Sequence, residues 1–498
     1  MKKLLLCLLA LLPLACNKPM EQKTSTDAAP PAGAAADKLE ILADLPQRAA
    51  QLPKTPIDYD HALLTDDERK VVAKLVEASK FIDDIYWLQV AEDNLTIRER
   101  LAKQASAGPL DQAGYDYFLI NRGRWDRLKE DEPFVAPFGA AGKKPEGAAF
   151  YPPDLTKDEM EKYITAHPDQ KDALQGLFTI VRREGDKLVT IPYSRQYAKQ
   201  LDPAAAKLRE AAELTTNASL KTYLTKLADA FGKDNYRDSD MAWMDLTGPI
   251  EVVIGPYEVY EDALFNYKAA FESFITVVDK PETDKLSVYA QHLPDMEENL
   301  PIPDEYKNPN RGTESPIRVV QELYTAGDAR RGVQTAAFNL PNDEFVREKK
   351  GSKKVLLKNV MDAKYRLSGT PIANRVLGES QRGLLNFDAY FNFILFHELS
   401  HGLGPGMIKQ PNGERVDIRF LLKDSYSAIE ECKADVLGIW NILYAHEHKL
   451  LTSFNEEQLF ATYAGLHFRS MRFGIDEAHG RGTAVQWNWL REKGAIVA

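Results

Sequence analysis

The amino-acid sequence predicts an α+β protein, mostly helical, with two lobes around a cleft: one helical lobe, and one lobe with a small mixed β-sheet or barrel. Apolar residues at helical spacing dominate the chain, whereas strand-like patterns are few and clustered. The 498 residues are too many for one small core, so two lobes are expected. The composition, with 44% hydrophobic and 28% charged residues, is typical of a globular protein.

Two stretches show the helical pattern clearly. Thr65-Asp66-Asp67-Glu68 is typical of a helix start, and apolar residues follow at helical spacing through Trp87. Residues 203–231 have a similar pattern, with Pro203 near the beginning. We interpret the apolar stripe of this second stretch as core packing; it consists of Leu208, Leu214, Leu220, Leu224 and Leu227.

Strand patterns are confined to a few short segments. Residues 187–193 are rich in β-branched side chains. Residues 249–260 alternate and contain Gly255-Pro256, which indicates a bend or an edge strand. Residues 332–340 and 353–358 are further candidates, and the polar segment 343–353 between them is predicted to be a loop.

The first 15 residues are predicted to be a lipoprotein signal peptide. Two lysines precede an apolar stretch over residues 4–14, which is too short to span a bilayer. The stretch ends in Leu14-Ala15-Cys16, which resembles a bacterial lipoprotein box, so Cys16 is the predicted lipidation site and membrane anchor. The alternative is an ordinary secretory signal in which the cysteine is incidental.

The segment after this signal is predicted to be a tether. Residues 16–37 contain almost no large apolar side chains, so they cannot bury enough surface to order themselves. Asn17 follows the cysteine, which in Gram-negative bacteria favours the outer membrane. We therefore expect a protein of the bacterial cell envelope, anchored by its lipid and facing the periplasm.

Charge and cysteine content exclude some classes of protein. The formal net charge is −11 and we find no cluster of basic residues, which argues against nucleic acid as a partner. Of the three cysteines, Cys7 lies in the signal and Cys16 at the predicted lipid site. Only Cys432 is left for the folded body, so an internal disulfide is excluded. The oligomeric state is not predicted.

A metal-binding pattern occurs at residues 387–402, FDAYFNFILFHELSHG. His397 and His401 are four residues apart and share one face of a helix, so both imidazoles can bind one Zn²⁺ ion. Glu398 is adjacent and can act as a general base on a water molecule. Chance occurrence of so short a motif is the alternative, and the motif alone does not exclude it.

A second acidic helix pattern follows at residues 428–436, AIEECKADV. Glu430 or Glu431 can supply a third ligand, which with two histidines gives the His₂Glu arrangement of catalytic zinc sites. Asp435 lies four residues after Glu431 and can accept the second ring N–H of a ligating histidine. The alternative is a solvated helix face. Together with the two histidines we favour the ligand interpretation, with one Zn²⁺ per chain.

These two motifs together resemble the dipeptidyl peptidase III family, the M49 metallopeptidases. In that family the second glutamate of the Glu-Glu-Cys-basic-Ala-acidic run is the ligand, which maps to Glu431. The first glutamate and the last acid orient the histidines, which maps to Glu430 and Asp435. Three further segments also resemble the family: IGPYEVYED at 254–262, Asn339-Leu340-Pro341-Asn342, and Glu477-Ala478-His479-Gly480.

The resemblance implies roles for these segments. Glu258, Asn339 and Asn342 would hold the amino terminus and main chain of a short peptide. Tyr260 and His479 would act as catalytic residues that stabilise the oxyanion. The resemblance also implies a peptidase body over residues 38–498. Its β-containing lobe would be mainly 38–280 and about 315–365, and its helical zinc lobe mainly about 281–314 and 366–498.

The implied function is the release of dipeptides from the free amino terminus of short peptides. The motif here is the pentapeptide His-Glu-Leu-Ser-His, whereas the typical family motif has one residue more. A subgroup that includes the peptidase-like part of some plant Nudix hydrolases shares the shorter form. Two alternatives remain open: a zinc oligopeptidase without dipeptidyl specificity, and a peptide-binding lipoprotein without catalysis.

Overall fold

A computed structural model of the chain describes residues 38–52, 54–308, 316–332, 334–422, 425–472, 474–475 and 478–497. The predicted signal peptide, tether and lipidated Cys16 lie outside these residues and stay predictions, which labelling with a fatty-acid analogue would check. Within the described ranges, no helix combines the length and apolar character needed to cross a bilayer.

The first half of the chain is mainly helical. Its helices are α1 Leu45–Ala50, α2 Asp66–Val90, α3 Asn94–Gln104, α4 Pro109–Asn121, α5 Lys157–Ala166, α6 Lys171–Gln175, α7 Tyr193–Gln196, α8 Ala198–Leu214, α9 Ala218–Ala230 and α10 Arg237–Met244. The predicted start of α2 is confirmed, because the Thr65 hydroxyl accepts the Glu68 N–H and the Glu68 carboxylate accepts the Thr65 N–H.

The predicted helical stretch 203–231 is divided into two helices, α8 and α9. The side chain of Asn217 accepts the N–H groups of Ser219 and Leu220, so it caps α9 and starts a new helix. Leu214 was predicted to lie in the core but is 45% exposed, because α8 ends at this residue. The other four leucines of the stripe are buried.

A five-stranded mixed sheet lies beside these helices. The strands of the described residues up to 357 are β1 Trp125–Asp126, β2 Glu132–Pro133, β3 Thr179–Glu184, β4 Lys187–Pro192, β5 Ile250–Glu258, β6 Ala270–Val278, β7 Ile317–Gly327, β8 Ala337–Leu340 and β9 Lys353–Leu357. The order in the large sheet is β5-β6-β7-β9-β8, so β5 and β8 are its edges. Strands β7 and β9 are parallel and the other pairs are antiparallel.

Further helices and a short hairpin make up most of the remaining described chain. These elements are α11 Lys280–Glu298, α12 Glu344–Lys350, α13 Lys358–Lys364, α14 Thr370–Val376, α15 Phe387–Ser400, β10 Met407–Lys409, β11 Arg415–Asp417, α16 Ile418–Leu422, α17 Tyr426–Glu447, α18 Glu456–Met471 and α19 Ala478–Glu492. The strand predictions at 187–193, 249–260, 332–340 and 353–358 are confirmed by β4, β5, β8 and β9. The bend predicted at Gly255-Pro256 is a register shift between Pro256 and Glu258.

The segment 343–353 was predicted to be a loop, and this is wrong for most of its length. It contains α12, whose N-terminus is capped by Asp343 accepting the Val346 N–H. Seven residues without an apolar stripe give little helical pattern, so the cap was the better signal. Strands β6 and β7 were not predicted, because β6 is buried along its whole length and shows no alternation.

Two large hydrophobic cores lie in different parts of the molecule. One core joins the five-stranded sheet to α2, α8 and α9, with Leu224 and Phe271 fully buried. The other core joins α15, α17 and α18, with Phe396 fully buried. The predicted two-lobed α+β class is therefore confirmed, while the predicted residue ranges of the lobes stay a prediction.

A buried ion cluster holds the segment that follows β5. The Glu261 carboxylate is fully buried and lies 2.9 Å from both the Arg127 and the Lys144 nitrogens. The Tyr86 hydroxyl donates to it at 2.8 Å. Burial alone would raise the pKa of Glu261, but Arg127, Lys144 and Arg331 outweigh it and hold the pKa far below its usual range.

Replacing Glu261 by glutamine is expected to destabilise the fold by about 3–5 kcal/mol, because it leaves buried cations without their counter-charge. The depressed pKa means that this stabilisation is present above about pH 4.3 and is lost as the pH falls. Urea unfolding of the wild-type chain and the variant at pH 7 and at about pH 3, well below the unfolded-state pKa, measures both effects. Glu92→Gln is the control, since Glu92 is largely exposed and its ion pair with Arg182 contributes about 1 kcal/mol or less. Equal unfolding free energies for the two variants would contradict the prediction.

Candidate metal centre and substrate cleft

Helix α15 presents both histidines of the motif to one side. Asn386 caps its N-terminus by accepting the Ala389 N–H at 3.0 Å. His401 is the C-cap, and its N–H still bonds the His397 carbonyl at 3.2 Å. The helix is therefore regular across the pentapeptide, and the two rings lie one turn apart with their Nε2 atoms 3.1 Å from each other.

Helix α17 packs closely against α15 at the level of the histidines. Gly438 makes this possible, since a Cβ atom there would come within 3.0 Å of the His397 backbone nitrogen. Glu431, Asp435 and Gly438 follow at intervals of four and three residues, so they lie on one face of α17. That face brings both carboxylates to the ring of His397.

The three predicted ligands converge on one point. Glu431 Oε2 lies 3.2 Å from His397 Nε2 and 3.7 Å from His401 Nε2, and the two nitrogens are 3.1 Å apart. Donors bound to a tetrahedral zinc ion at about 2.0–2.2 Å are separated by roughly 3.3–3.6 Å. Glu431 Oε2 is also buried and has no hydrogen-bond partner among the described residues. These observations fit a metal ion held between the three side chains.

His479 reaches the same carboxylate oxygen. Its Nε2 atom lies 3.2 Å from Glu431 Oε2, and its ring lies 6.1 Å from that of His397. The donor atoms of His397, Glu431 and His479 all lie within 4.8 Å of one another, so they too could hold an ion. The predicted catalytic histidine is thus a fourth candidate donor, although its side chain is 56% exposed.

Carboxylates orient the two buried imidazoles. Asp435 Oδ1 lies 2.8 Å from His397 Nδ1, and Glu430 Oε1 lies 2.9 Å from His401 Nδ1. With a metal ion bound, each Nδ1 would carry the proton toward its carboxylate and each Nε2 would direct its lone pair at the metal position. The structure brings Glu430 and Asp435 to the positions expected of them.

Sequence reasoning missed the side chains that hold Asp435 in place. Gln486 on α19 donates from Nε2 to Asp435 Oδ2 at 2.8 Å, and the hydroxyl of Tyr463 on α18 donates to Gln486 Oε1. Gly482 lets α19 approach α17, since a Cβ there would lie 3.1 Å from the Cys432 nitrogen. A glutamine and a tyrosine far apart in the chain carry no metal-site signature, so no sequence signal could have identified them.

The electrostatics of the site favour a cation. Burial alone would lower the pKa of His397, but the carboxylates of Asp435 and Glu431 outweigh it and raise the pKa to about 10. Burial would raise the pKa of Glu431, yet His397 and the other imidazoles lower it. At neutral pH the metal-free ring of His397 is therefore protonated, and a divalent ion would replace the proton on its Nε2 as the positive charge beside Glu431 and Asp435.

Glu398 lies beside the donor set without being one of the candidate metal ligands, and Lys354 positions it. The Lys354 ammonium group donates to the Glu398 carbonyl at 2.5 Å and lies 3.5 Å from its carboxylate. Lys354 belongs to β9, so this contact ties the sheet to the helix that carries the metal motif. This lysine was not predicted, because the contact joins residues 44 positions apart.

A cavity of about 720 Å³ lies between the sheet and the metal motif. The predicted catalytic residues Glu398 and Tyr260 line it, together with the metal candidate Glu431. The three predicted substrate-binding residues also line it: Glu258, Asn339 and Asn342. Tyr260 lies beyond the end of β5 and is 66% exposed. The Asn342 side chain donates to the Tyr257 carbonyl at 3.0 Å, which links the ends of the two edge strands β5 and β8.

Two further acids that the sequence did not single out line this cavity: Glu272 on β6 and Asp328. Burial, together with Glu258 and Asp328, raises the pKa of Glu272 well above its usual value. Burial also raises the pKa of Glu258, and Asp328 adds to the effect. Three carboxyl groups with raised pKa values form a site that a positively charged group would stabilise.

A His₂Glu donor set, a free glutamate beside it and a cleft between two lobes define the class of metallopeptidases. The chain belongs to peptidase family M49, whose family model matches residues 154–417. The resemblance stated from the sequence is thereby confirmed at the level of the family.

Solved structures of dipeptidyl peptidase III are similar over nearly the whole chain. The enzyme from Caldithrix abyssi is 52% identical, with a TM-score of 0.87 over 90% of this chain and 85% of that one. The enzyme from Corallococcus sp. strain EGB is 42% identical, with a TM-score of 0.77 over 93% of this chain and 85% of that one.

A plant protein is also related. Nudix hydrolase 3 of Arabidopsis thaliana is 37% identical over 480 residues, which are 87% of this chain and 62% of that protein. This chain therefore spans less than two thirds of that relative. The predicted likeness to the peptidase-like part of plant Nudix hydrolases agrees with this match.

Glu431→Ala is expected to abolish tight metal binding, because it removes the oxygen that lies within 3.7 Å of the Nε2 atoms of all three candidate histidines. Metal content per chain after dialysis, measured by mass spectrometry, is the test. Glu447→Ala, at the exposed end of the same helix, is the control and should keep the metal of the wild-type chain. Full metal content in Glu431→Ala would transfer the ligand role to another acid.

The same measurement separates the two candidate histidines. His401→Ala should lose the metal, because His401 is oriented by Glu430 and lies close to His397 Nε2. His479→Ala should retain it, because the more exposed ring is not needed to complete a three-residue donor set. The opposite pair of results would make His479, and not His401, the third ligand.

Proposed function

We propose that this chain is a zinc-dependent peptidase that releases dipeptides from the free amino terminus of short peptides. The main support for this proposal is that one cavity contains both groups of predicted residues. Glu398 and Glu431 line it from the helical lobe, and Glu258, Asn339 and Asn342 line it from the sheet. Its similarity to the two solved dipeptidyl peptidases III described above supports the same reaction.

The donor set suits zinc because imidazole and carboxylate in tetrahedral spacing are common zinc ligands. Bound zinc would supply a Lewis acid for the scissile carbonyl and for the attacking water. Glu398 takes the proton from that water and passes it to the leaving amine. Lys354 keeps Glu398 at the mouth of the cavity through its contacts with the carbonyl and the carboxylate.

The peptide would lie along β8 as an additional strand. β8 is an edge strand, so one side of its main chain is not paired within the sheet. Glu258 and its acidic neighbours Glu272 and Asp328 would bind the terminal ammonium group. Because the ammonium group is held at a fixed place, the number of residues between it and Glu398 is also fixed. This number would determine which peptide bond is cleaved.

Tyr260 and His479 complete the proposed catalytic set. Tyr260 lines the cavity opposite Glu431, and His479 lies within 3.2 Å of the Glu431 carboxylate. Both can donate a hydrogen bond to the oxygen that becomes negatively charged in the transition state. His479 stands at the first turn of α19, which Gln486 of the same helix ties to Asp435.

Glu398→Gln should keep the metal and lower kcat by about 100- to 10,000-fold, because a glutamine cannot accept the proton of the attacking water. Hydrolysis of a tetrapeptide, followed by liquid chromatography, and metal content are measured on the same preparation. Glu447→Gln is the matched control and should have the kcat of the wild-type chain. Turnover unchanged in Glu398→Gln would refute the role of Glu398 as general base.

Free and N-acetylated forms of one peptide distinguish dipeptide release from the two rival functions. The acetyl group removes the ammonium that the acidic cluster would bind, so we expect kcat/KM to fall by about 10- to 100-fold, the value of one or two charge-assisted hydrogen bonds. Equal cleavage of both forms would favour an oligopeptidase without dipeptidyl specificity. Binding of the free form without cleavage of either would favour a peptide-binding protein.

A further inference from the structure

A second cavity, of about 380 Å³, lies on the other side of Glu398. It shares Thr335, Ala337 and Glu398 with the larger cavity described above. Its other walls are helices α15, α18 and α19. The two cavities therefore flank the proposed general base, one on each side.

The direction of β8 assigns the second cavity to the peptide segment after the cleaved bond. Asn339 and Asn342 stand toward the end of β8 that holds the proposed ammonium site. Ala337 begins the strand, and Ala336 and Thr335 precede it as part of the second cavity's wall. A peptide that starts near Asn342 and runs past Ala337 would then enter this cavity.

Arg469 lines the second cavity next to Tyr390. Helices α15 and α18 run antiparallel along it, since the rings of Phe393 and Tyr463 are 5.3 Å apart and the Arg469 guanidinium carbon lies 5.6 Å from the Tyr390 ring. Tyr390 precedes His397 by seven residues, which is about 10 Å along a helix. The guanidinium group thus lies beside a residue two helical turns before His397, roughly 10 Å from it along the helix axis.

Further cations stand near Arg469. The Lys364 ammonium group donates to the Gln334 carbonyl, next to the wall residue Thr335. Burial, with Arg469 and Arg472 adding to it, lowers the pKa of Lys364 to about 8. Among the described residues, neither Arg469 nor Lys364 has a carboxylate oxygen within 4.0 Å. Glu322 acts on Lys364 in the opposite direction, so the unopposed charge at the cavity wall is that of Arg469, which has no carboxylate oxygen within 4.0 Å among the described residues.

We infer that the part of the second cavity around Arg469 is a binding site for a carboxylate of the peptide substrate. The inference rests on the proposed function, because it uses the proposed peptide direction. The carboxylate is either the free C-terminus of a short peptide or an acidic side chain at the same place. A planar guanidinium group beside an aromatic ring is well suited to a carboxylate.

This spacing sets the expected length of the favoured substrate. An extended peptide advances about 3.3 Å per residue, so about 10 Å corresponds to two or three residues beyond the cleaved bond. Two residues lie on the ammonium side. Tetrapeptides and pentapeptides would therefore reach both charged ends of the cleft at once.

The test measures binding without turnover, in the full-length chain carrying Glu398→Gln. Calorimetry compares three peptides: Ala-Ala-Phe-Ala as the free acid, the same peptide as its C-terminal amide, and Ala-Ala-Phe-Glu as the amide. Each is measured with Arg469 intact, with Arg469→Met and with Arg469→Lys. Arg366→Met is the matched control, because Arg366 is exposed, pairs with Asp362 and does not line the cavity.

We expect the free acid to bind about 10-fold more tightly than its amide. Arg469→Met should bring this ratio to about one, Arg469→Lys should restore part of it, and Arg366→Met should leave it unchanged. If only the glutamyl amide binds more tightly, with the same dependence on Arg469, the carboxylate comes from a side chain and the site is still supported.

Equal affinity for all three peptides would overturn the inference. So would a preference for the carboxylate that survives Arg469→Met. The wild-type chain is assayed for hydrolysis of the same peptides in parallel. Failure to cleave any of them contradicts the proposed function, whereas the binding ratio reports on Arg469 alone.

Discussion

The close contact between helices α15 and α17 is the constraint on which the metal centre depends. Gly438 lies against the backbone of His397 with no room for a side chain. That spacing lets Glu431 and Asp435 reach the two nitrogens of the same ring. A larger residue at 438 would separate the helices and lengthen both contacts together, so metal binding and imidazole orientation depend on one packing contact.

Hydrogen bonds connect this helix contact to the helices that line the smaller cavity. The second oxygen of Asp435 binds Gln486, and Gln486 binds Tyr463, so α17, α19 and α18 are joined by one polar chain. Tyr463 also lines the smaller cavity. The helices that orient the histidines are thus the helices that shape the space beside them. A rigid site of this kind keeps donors and substrate within narrow limits without rearrangement.

The parts of the site that sequence could predict are those that helical spacing brings together. His397 and His401, and Glu431 and Asp435, are four residues apart on regular helices, so their juxtaposition follows from the helical repeat. Lys354 could not be found, because its partner Glu398 is distant in the chain. Local patterns likewise decided which elements of the fold could be predicted. The start of α2 could be predicted from its capping box, whereas the fully buried β6 has no alternating pattern.

Strand β8 is connected to the helix of the metal motif through its neighbour β9, which bears on how a peptide would bind. Asn339 of β8 pairs with Lys354 of β9, and Lys354 in turn binds the Glu398 carbonyl. The edge that would pair with a peptide main chain is therefore held at a fixed distance from the proposed general base. Main-chain pairing does not depend on side-chain identity. A cleft that pairs with the peptide main chain, and that is acidic at one end and basic at the other, would select peptides by the distance between their charged ends. It would therefore accept many sequences.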